Sequence, residues 1–113
     1  MIRILIADDL AIIRKGVKQI LTEAYPNAEI EEVEDGEDWA DKLNDCPWDI
    51  VIADRPGPTP QVPVLIINLY KHFAYDDDSA GWVGRDAAPD ELVWAVRELL
   101  AGKKYHPVPS KEN

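Results

Sequence analysis

The sequence predicts an α/β domain with a doubly wound, parallel, five-stranded sheet. Three observations carry that prediction. Short apolar runs alternate with segments of helical period along the 113 residues. The runs are apolar at consecutive rather than alternate positions, which suits strands buried on both faces. The first and third runs each end in aspartate, and such sheets place their ligand sites beyond the carboxyl ends of the strands.

The first strand is Ile2 to Ala7, followed by Asp8-Asp9. Residues 11 to 24 then switch to a helical period, with Ile13, Val17, Ile20 and Leu21 on one face and Arg14, Lys15 and Lys18 toward solvent. Tyr25-Pro26-Asn27 stops that helix. Glu29 to Val33 is a weak strand with only Ile30 and Val33 apolar, which places it at a sheet edge. Asp35-Gly36 forms a turn into a second helix, with Trp39, Ala40 and Leu43 on its inner face and Pro47 at its end. Asp49 to Asp54 is the third strand and Pro63 to Leu69 the fourth. Gly81 to Gly84 is a short fifth. Pro89 opens a last helix, with Leu92, Val93, Val96, Leu99 and Leu100 as its buried stripe and Gly102 at its end. Residues 1–102 then make one domain, and the two prolines of residues 103–113 predict a frayed tail.

Charge narrows the function. Twelve basic and 22 acidic residues give a net charge of −10, which repels phosphate backbones and anionic lipid. The chain alone is therefore expected to bind neither nucleic acid nor membrane. Its one cysteine, Cys46, needs no oxidising compartment, and no apolar run has the length of a signal peptide or membrane span. A cytoplasmic protein is the expectation. His72 and His106 have no evident ligand partner, and Asp76-Asp77-Asp78 reads as a solvated loop.

Asp8, Asp9 and Asp54 are the candidate site. Asp before a helix is most often a cap, and Asp54 alone is only a strand end. Together, three carboxylates converging at one sheet end repel each other and call for protonation or a cation. Mg²⁺, which takes oxygen ligands, suits them.

Several stretches resemble the receiver domain of bacterial two-component response regulators, in the branch that usually carries a C-terminal helix-turn-helix. They are Ile4-Leu5-Ile6-Ala7-Asp8-Asp9, Arg14-Lys15-Gly16-Val17, Asp35-Gly36, Trp48 to Asp54, Pro63 to Ile66 and Gly81 to Val93. The resemblance implies a flavodoxin-like sheet of order 2-1-3-4-5. It implies Mg²⁺ bound near Asp8 and Asp9, Asp54 as phosphoacceptor, and a sensor histidine kinase or other signalling protein as partner.

The sequence departs from that pattern at the site and in the crossovers. Asn68 stands where the family has Ser or Thr, Arg85 where it has Lys, and Trp82 where it usually has Tyr or Phe. Asn68 cannot reproduce the hydroxyl's motion, and Arg is not a geometric stand-in for Lys. Chemistry at Asp54 then survives while its readout through Trp82 degrades. A phosphorylation-independent pseudo-receiver acting by protein interaction is the alternative, and degenerate receivers of that kind exist in the family. A small Mg²⁺-dependent phosphoryl-handling enzyme is the third reading, but it lacks a general acid; the expectation is that the chain is not an enzyme.

Between the third and fourth strands, the seven residues 55–61 contain three prolines and replace a helix. As an extended strap at about 3.1 Å per residue they still permit a parallel return. A hairpin with an antiparallel fourth strand is the rival. A strap covers less sheet than a helix, so part of the set Ile50, Ile52, Val64 and Ile66 is expected to meet solvent and favour a homodimer or docked partner.

Overall fold

The computed structural model describes residues 1–34, 41–45, 47–54, 62–67 and 81–105. Five parallel strands form one sheet in the order β2-β1-β3-β4-β5. They are β1 (Arg3–Ala7), β2 (Glu29–Val33), β3 (Ile50–Ala53), β4 (Val64–Ile67) and β5 (Gly81–Val83). The fourth strand runs parallel to the third, with Val51 opposite Val64 and Ala53 opposite Ile66, which excludes the hairpin. Charged β2 lies at the edge as its composition requires.

Two helices lie among the described residues, α1 (Ala11–Ala24) and α2 (Pro89–Leu100). Pro89 opens α2 with Asp90 and Glu91 in its first turn and Arg97 in its last, each sign suited to the helix dipole. Gly102 follows it at φ +85°, a left-handed conformation that glycine adopts without penalty. Of the second helix, only Asp41 and Lys42 fall among the described residues in helical conformation. The strap 55–61 and the segment 68–80 lie outside them.

The sheet divides the core by strand parity. Ile4, Ile6, Ile50, Ile52 and Leu65 pack against Val17 and Leu21 of α1 and Leu92, Val96 and Leu99 of α2. On the other face, Leu5, Val51, Val64 and Ile66 pack with Trp48, flanked by Leu43, Val62 and Trp82. Trp48 is fixed there by donating from Nε1 to the Lys42 carbonyl at 2.8 Å.

Three expectations need correction. Ile50, Ile52, Val64 and Ile66 are each 5 % exposed or less, so the predicted bare sheet face does not exist. Trp48, Leu43 and Val62 contribute the cover that residue counting assigned to the missing helix. Arg14 is buried, not solvated. Finally, Tyr105 of the expected tail pairs in parallel with Gly81. Its carbonyl accepts from Trp82 N at 2.8 Å and its hydroxyl donates to Glu91 at 3.0 Å.

Candidate functional site

The register of β1 and β3 builds the site. Ala7 lies opposite Ala53, so Asp8 and Asp54 leave neighbouring parallel strands at the same level. Strand order reverses between these two strands, which is where open α/β sheets hold ligands. Asp8 is 3 % exposed, Asp54 is half-buried and Asp9 is exposed.

Asp8 is held from several sides. Its Oδ1 accepts from Leu10 N at 2.9 Å, closing a turn into α1. Leu10, not an aspartate, occupies the N-cap position of α1 and makes no side-chain cap. The Asp8 carbonyl accepts from Arg14 Nη1 at 2.8 Å. Oδ2 faces Arg85 Nη2 at 3.9 Å, a long ion pair from the loop after β5. Burial pushes the Asp8 carboxyl above its ordinary value; the Leu10 N–H bond opposes this, Asp54 adds to it, Arg85 opposes it and Asp9 adds to it. Asp8 thus carries a charge that its surroundings do not fully compensate, and it feels both other carboxylates.

A second network supports this one. Arg14 Nε donates to Glu32 Oε1 at 3.1 Å, and Lys15 and Lys18 reach Glu32 Oε2 at 3.1 and 3.6 Å. Burial alone would raise the Glu32 carboxyl, but the hydrogen bonds from Lys15 and Arg14 and the charges of Lys15 and Lys18 outweigh it and hold it low. Arg14 therefore ties α1, the edge strand and the Asp8 main chain together. The residue types alone do not separate Arg14 from Lys15: both reach Glu32, and only the fold buries Arg14 and brings it to the Asp8 carbonyl.

Trp82 is half-buried against the second core layer. Its Nε1 and the Nε of Arg85 are buried and lack a hydrogen-bond partner among the described residues. Asn68 lies outside those residues. Among them, no group of three His, Cys, Asp or Glu side chains is placed to hold a metal ion together. The donor set nevertheless fits Mg²⁺, which is usually held by one or two carboxylates and waters rather than by a protein cage. The under-compensated, buried Asp8 beside Asp54 is the structural sign of that fit.

Fold, strand order and the carboxylates at the β1–β3 reversal are those found in receiver domains of response regulators, and the chain is similar to such proteins along most of its length. The chain is similar to the response regulator UvrY of Escherichia coli K12, at 24 % identity over 93 % of this chain and 57 % of that protein. It is similar to the response regulator GacA of Pseudomonas aeruginosa, at 22 % identity over 93 % of this chain and 58 % of that one. It spans a little over half the length of these curated relatives. A solved LuxR-family DNA-binding response regulator from Silicibacter pomeroyi superposes with TM-score 0.81 at 25 % identity, covering 95 % of this chain and 97 % of that one. The isolated REC domain of RcsB from Salmonella enterica serovar Typhimurium, with phosphomimetic BeF3⁻, gives 0.77 at 21 %, covering 94 % and 93 %. No family model matches the sequence. These relatives are signalling proteins, not enzymes. No helix among the described residues is long and apolar enough to cross a membrane.

Proposed function

We propose that the chain takes a phosphoryl group at Asp54 from a histidine kinase in two-component signalling in the cytoplasm. The observation that carries the proposal is the register placing Asp54 beside a buried, charge-frustrated Asp8. An Asp54 carboxylate oxygen attacks phosphorus, the bond from phosphorus to the donor nitrogen breaks, and the donor imidazole leaves with the electron pair and takes up a proton. Asp8 and Asp54 would hold Mg²⁺ with waters, Asp9 reaching the ion only through water and not as the third direct ligand of the expected set; the ion when bound would neutralise the carboxylates and the charge of the incoming phosphoryl group. Arg85, already near Asp8, is a cation available, among the described residues, to a phosphoryl oxygen. Asn68 is the proposed replacement for the family's hydroxyl, and Trp82 the coupling residue.

The readout is proposed to be weak. Trp82 is tied through its backbone to Tyr105 and packed against the second core layer, which resists a rotation signalling through it. One observation favours the phosphorylation-independent alternative: Arg85 lies where it supplies Asp8 with a resident positive charge. A homodimer would need a surface other than the sheet face, which is already covered. Mass spectrometry after treatment with phosphoramidate and Mg²⁺ tests the main reading. A single phosphoryl adduct lost in Asp54→Asn is expected, and no adduct in either protein overturns it. Backbone amide shifts around Trp82 are expected to change little on phosphorylation; large changes reaching β5 would show that the readout is intact.

A further inference from the structure

The main chain of Asp8 is held from two elements. Its N–H donates to the Val33 carbonyl at the end of β2 at 3.2 Å. Its carbonyl lies one residue past Ala7, the last paired residue of β1, and Arg14 Nη1 donates to it at 2.8 Å in place of a neighbouring strand. That carbonyl belongs to the planar peptide unit joining Asp8 to Asp9. A donor fixed on it therefore sets the plane from which both carboxylates leave the chain.

Arg14 is itself seated for this. It lies in the first turn of α1, where helical side chains lean toward the N-terminus and so back toward Asp8. A cation in a first turn has the wrong sign for the helix dipole, and burial adds a desolvation cost. Glu32 offsets both: its Oε1 accepts from Arg14 Nε at 3.1 Å, and Lys15 and Lys18 hold its Oε2. Glu32 sits opposite Ile6 in the β1–β2 register, two residues before Asp8. One rigid guanidinium thus spans the edge strand and the Asp8 carbonyl. Lysine, a point charge on a flexible stem, imposes no such plane.

We propose that Arg14 is a positioning residue for the acidic site: by clamping the Asp8–Asp9 peptide to Glu32, it holds Asp8 in the orientation that binds Mg²⁺. It acts through Asp8 and not on the ion itself, and the inference rests on the Mg²⁺ reading of that site. Partners that orient a metal ligand from behind typically contribute about 10- to 100-fold in affinity. Charge alone predicts the opposite sign, because deleting a cation close to a cation site tightens Mg²⁺. The direction of the change therefore separates positioning from electrostatics, and a stability loss alone leaves the Mg²⁺ affinity of the folded molecules where it was.

Mg²⁺ alone is the probe, titrated into the full chain and followed by the backbone amide shifts of residues 8 to 10. Arg14→Met and the charge-keeping Arg14→Lys, each first shown to be folded by circular dichroism, are expected to bind Mg²⁺ at least about tenfold more weakly than the wild type. Lys15→Met removes a cation from the same Glu32 but no bond to Asp8, and is expected to bind as tightly as the wild type or more so. Without metal, the order parameter of the Asp9 amide, the N–H of the clamped peptide, is expected to fall from about 0.85 to below about 0.6 in both Arg14 variants. Where Arg14→Met does not fold, Arg14→Lys decides. Mg²⁺ binding in Arg14→Lys that matches the wild type, an Asp9 amide that stays rigid, or equal weakening in Lys15→Met each overturns the proposal while the Mg²⁺ reading stands. A wild type without saturable Mg²⁺ binding overturns the Mg²⁺ reading and the proposal with it.

Discussion

Replacing Asp8 by Asn is expected to stabilise the metal-free protein, although it removes a charged residue from its own ion pair. The wild-type carboxylate is 3 % exposed. In its favour are the Leu10 N–H bond, worth about 2 kcal/mol to a charged acceptor, and Arg85 at 3.9 Å, about 4 kcal/mol by Coulomb's law at an effective dielectric near 20. Against it stand a desolvation cost of several kcal/mol and repulsion from Asp54 and Asp9. The carboxyl is pushed up from its ordinary value, so the unfavourable side is larger. Asn keeps the oxygen that accepts from Leu10 and sheds the charge. A gain of about 1 kcal/mol, or about 4 °C in Tm, is expected near pH 7.

The sign gives a pH test. A carboxyl raised in the folded state binds protons more readily folded than unfolded, so its cost is present above its folded pKa. That cost shrinks as pH falls through the folded value and vanishes below the ordinary 3.8. The advantage of Asp8→Asn is therefore expected to close on acidification. Saturating Mg²⁺ should reverse the order, since a ligand at 100 times its Kd adds about 2.7 kcal/mol to the form that binds it. Urea unfolding followed by circular dichroism, from pH 4 to 8 with and without Mg²⁺, reads all three effects. A destabilised Asp8→Asn at pH 7 without metal would show that Arg85 fully compensates Asp8, and the charge-frustration reasoning would fail.

Arg14→Met is expected to cost about 2–3 kcal/mol in urea unfolding, because it leaves the Asp8 carbonyl and one oxygen of a shielded Glu32 without their donor. A cost within about 0.5 kcal/mol would mean that Arg14 behaves as a surface residue. Glu32, held below its ordinary 4.5, contributes stability above that value which is lost as pH falls through the folded pKa. Glu32→Gln should therefore flatten the acid limb of the stability profile, and an unchanged limb would refute the network's contribution. In Gly81→Ala, the new Cβ would lie 2.9 Å from both Leu99 Cδ1 and the Tyr105 carbonyl oxygen. The segment at Lys103 and Lys104 must then shift, and faster tryptic cleavage there is expected; wild-type rates would show that Tyr105 is not seated on β5.

Much of this protein is determined by its sequence alone. Consecutive apolar residues in Ile4–Ala7 and Ile50–Ala53 require strands buried on two faces, which only a parallel sheet under helices supplies. The acidic edge strand, Pro89 at the head of α2 and Gly102 beyond its end were legible because each is a local matter of charge, φ and missing donors. Asp8 and Asp54 were legible because both end strands. Tertiary structure alone decided the rest. Arg14 and Lys15 read alike until β2 sets Glu32 against α1 and buries one of them. Arg85 comes to face Asp8 from the loop after β5, although two strands separate β5 from β1 in the sheet. Trp48, at least 16 positions earlier in the chain, shares one core cluster with Ile66 and Val64, against which Leu43, Val62 and Trp82 pack. Tyr105 is pinned by the open edge of β5 despite the prolines that follow it. Period and composition report what a residue prefers; pairings between elements far apart in the chain depend on register and packing, which no local pattern encodes.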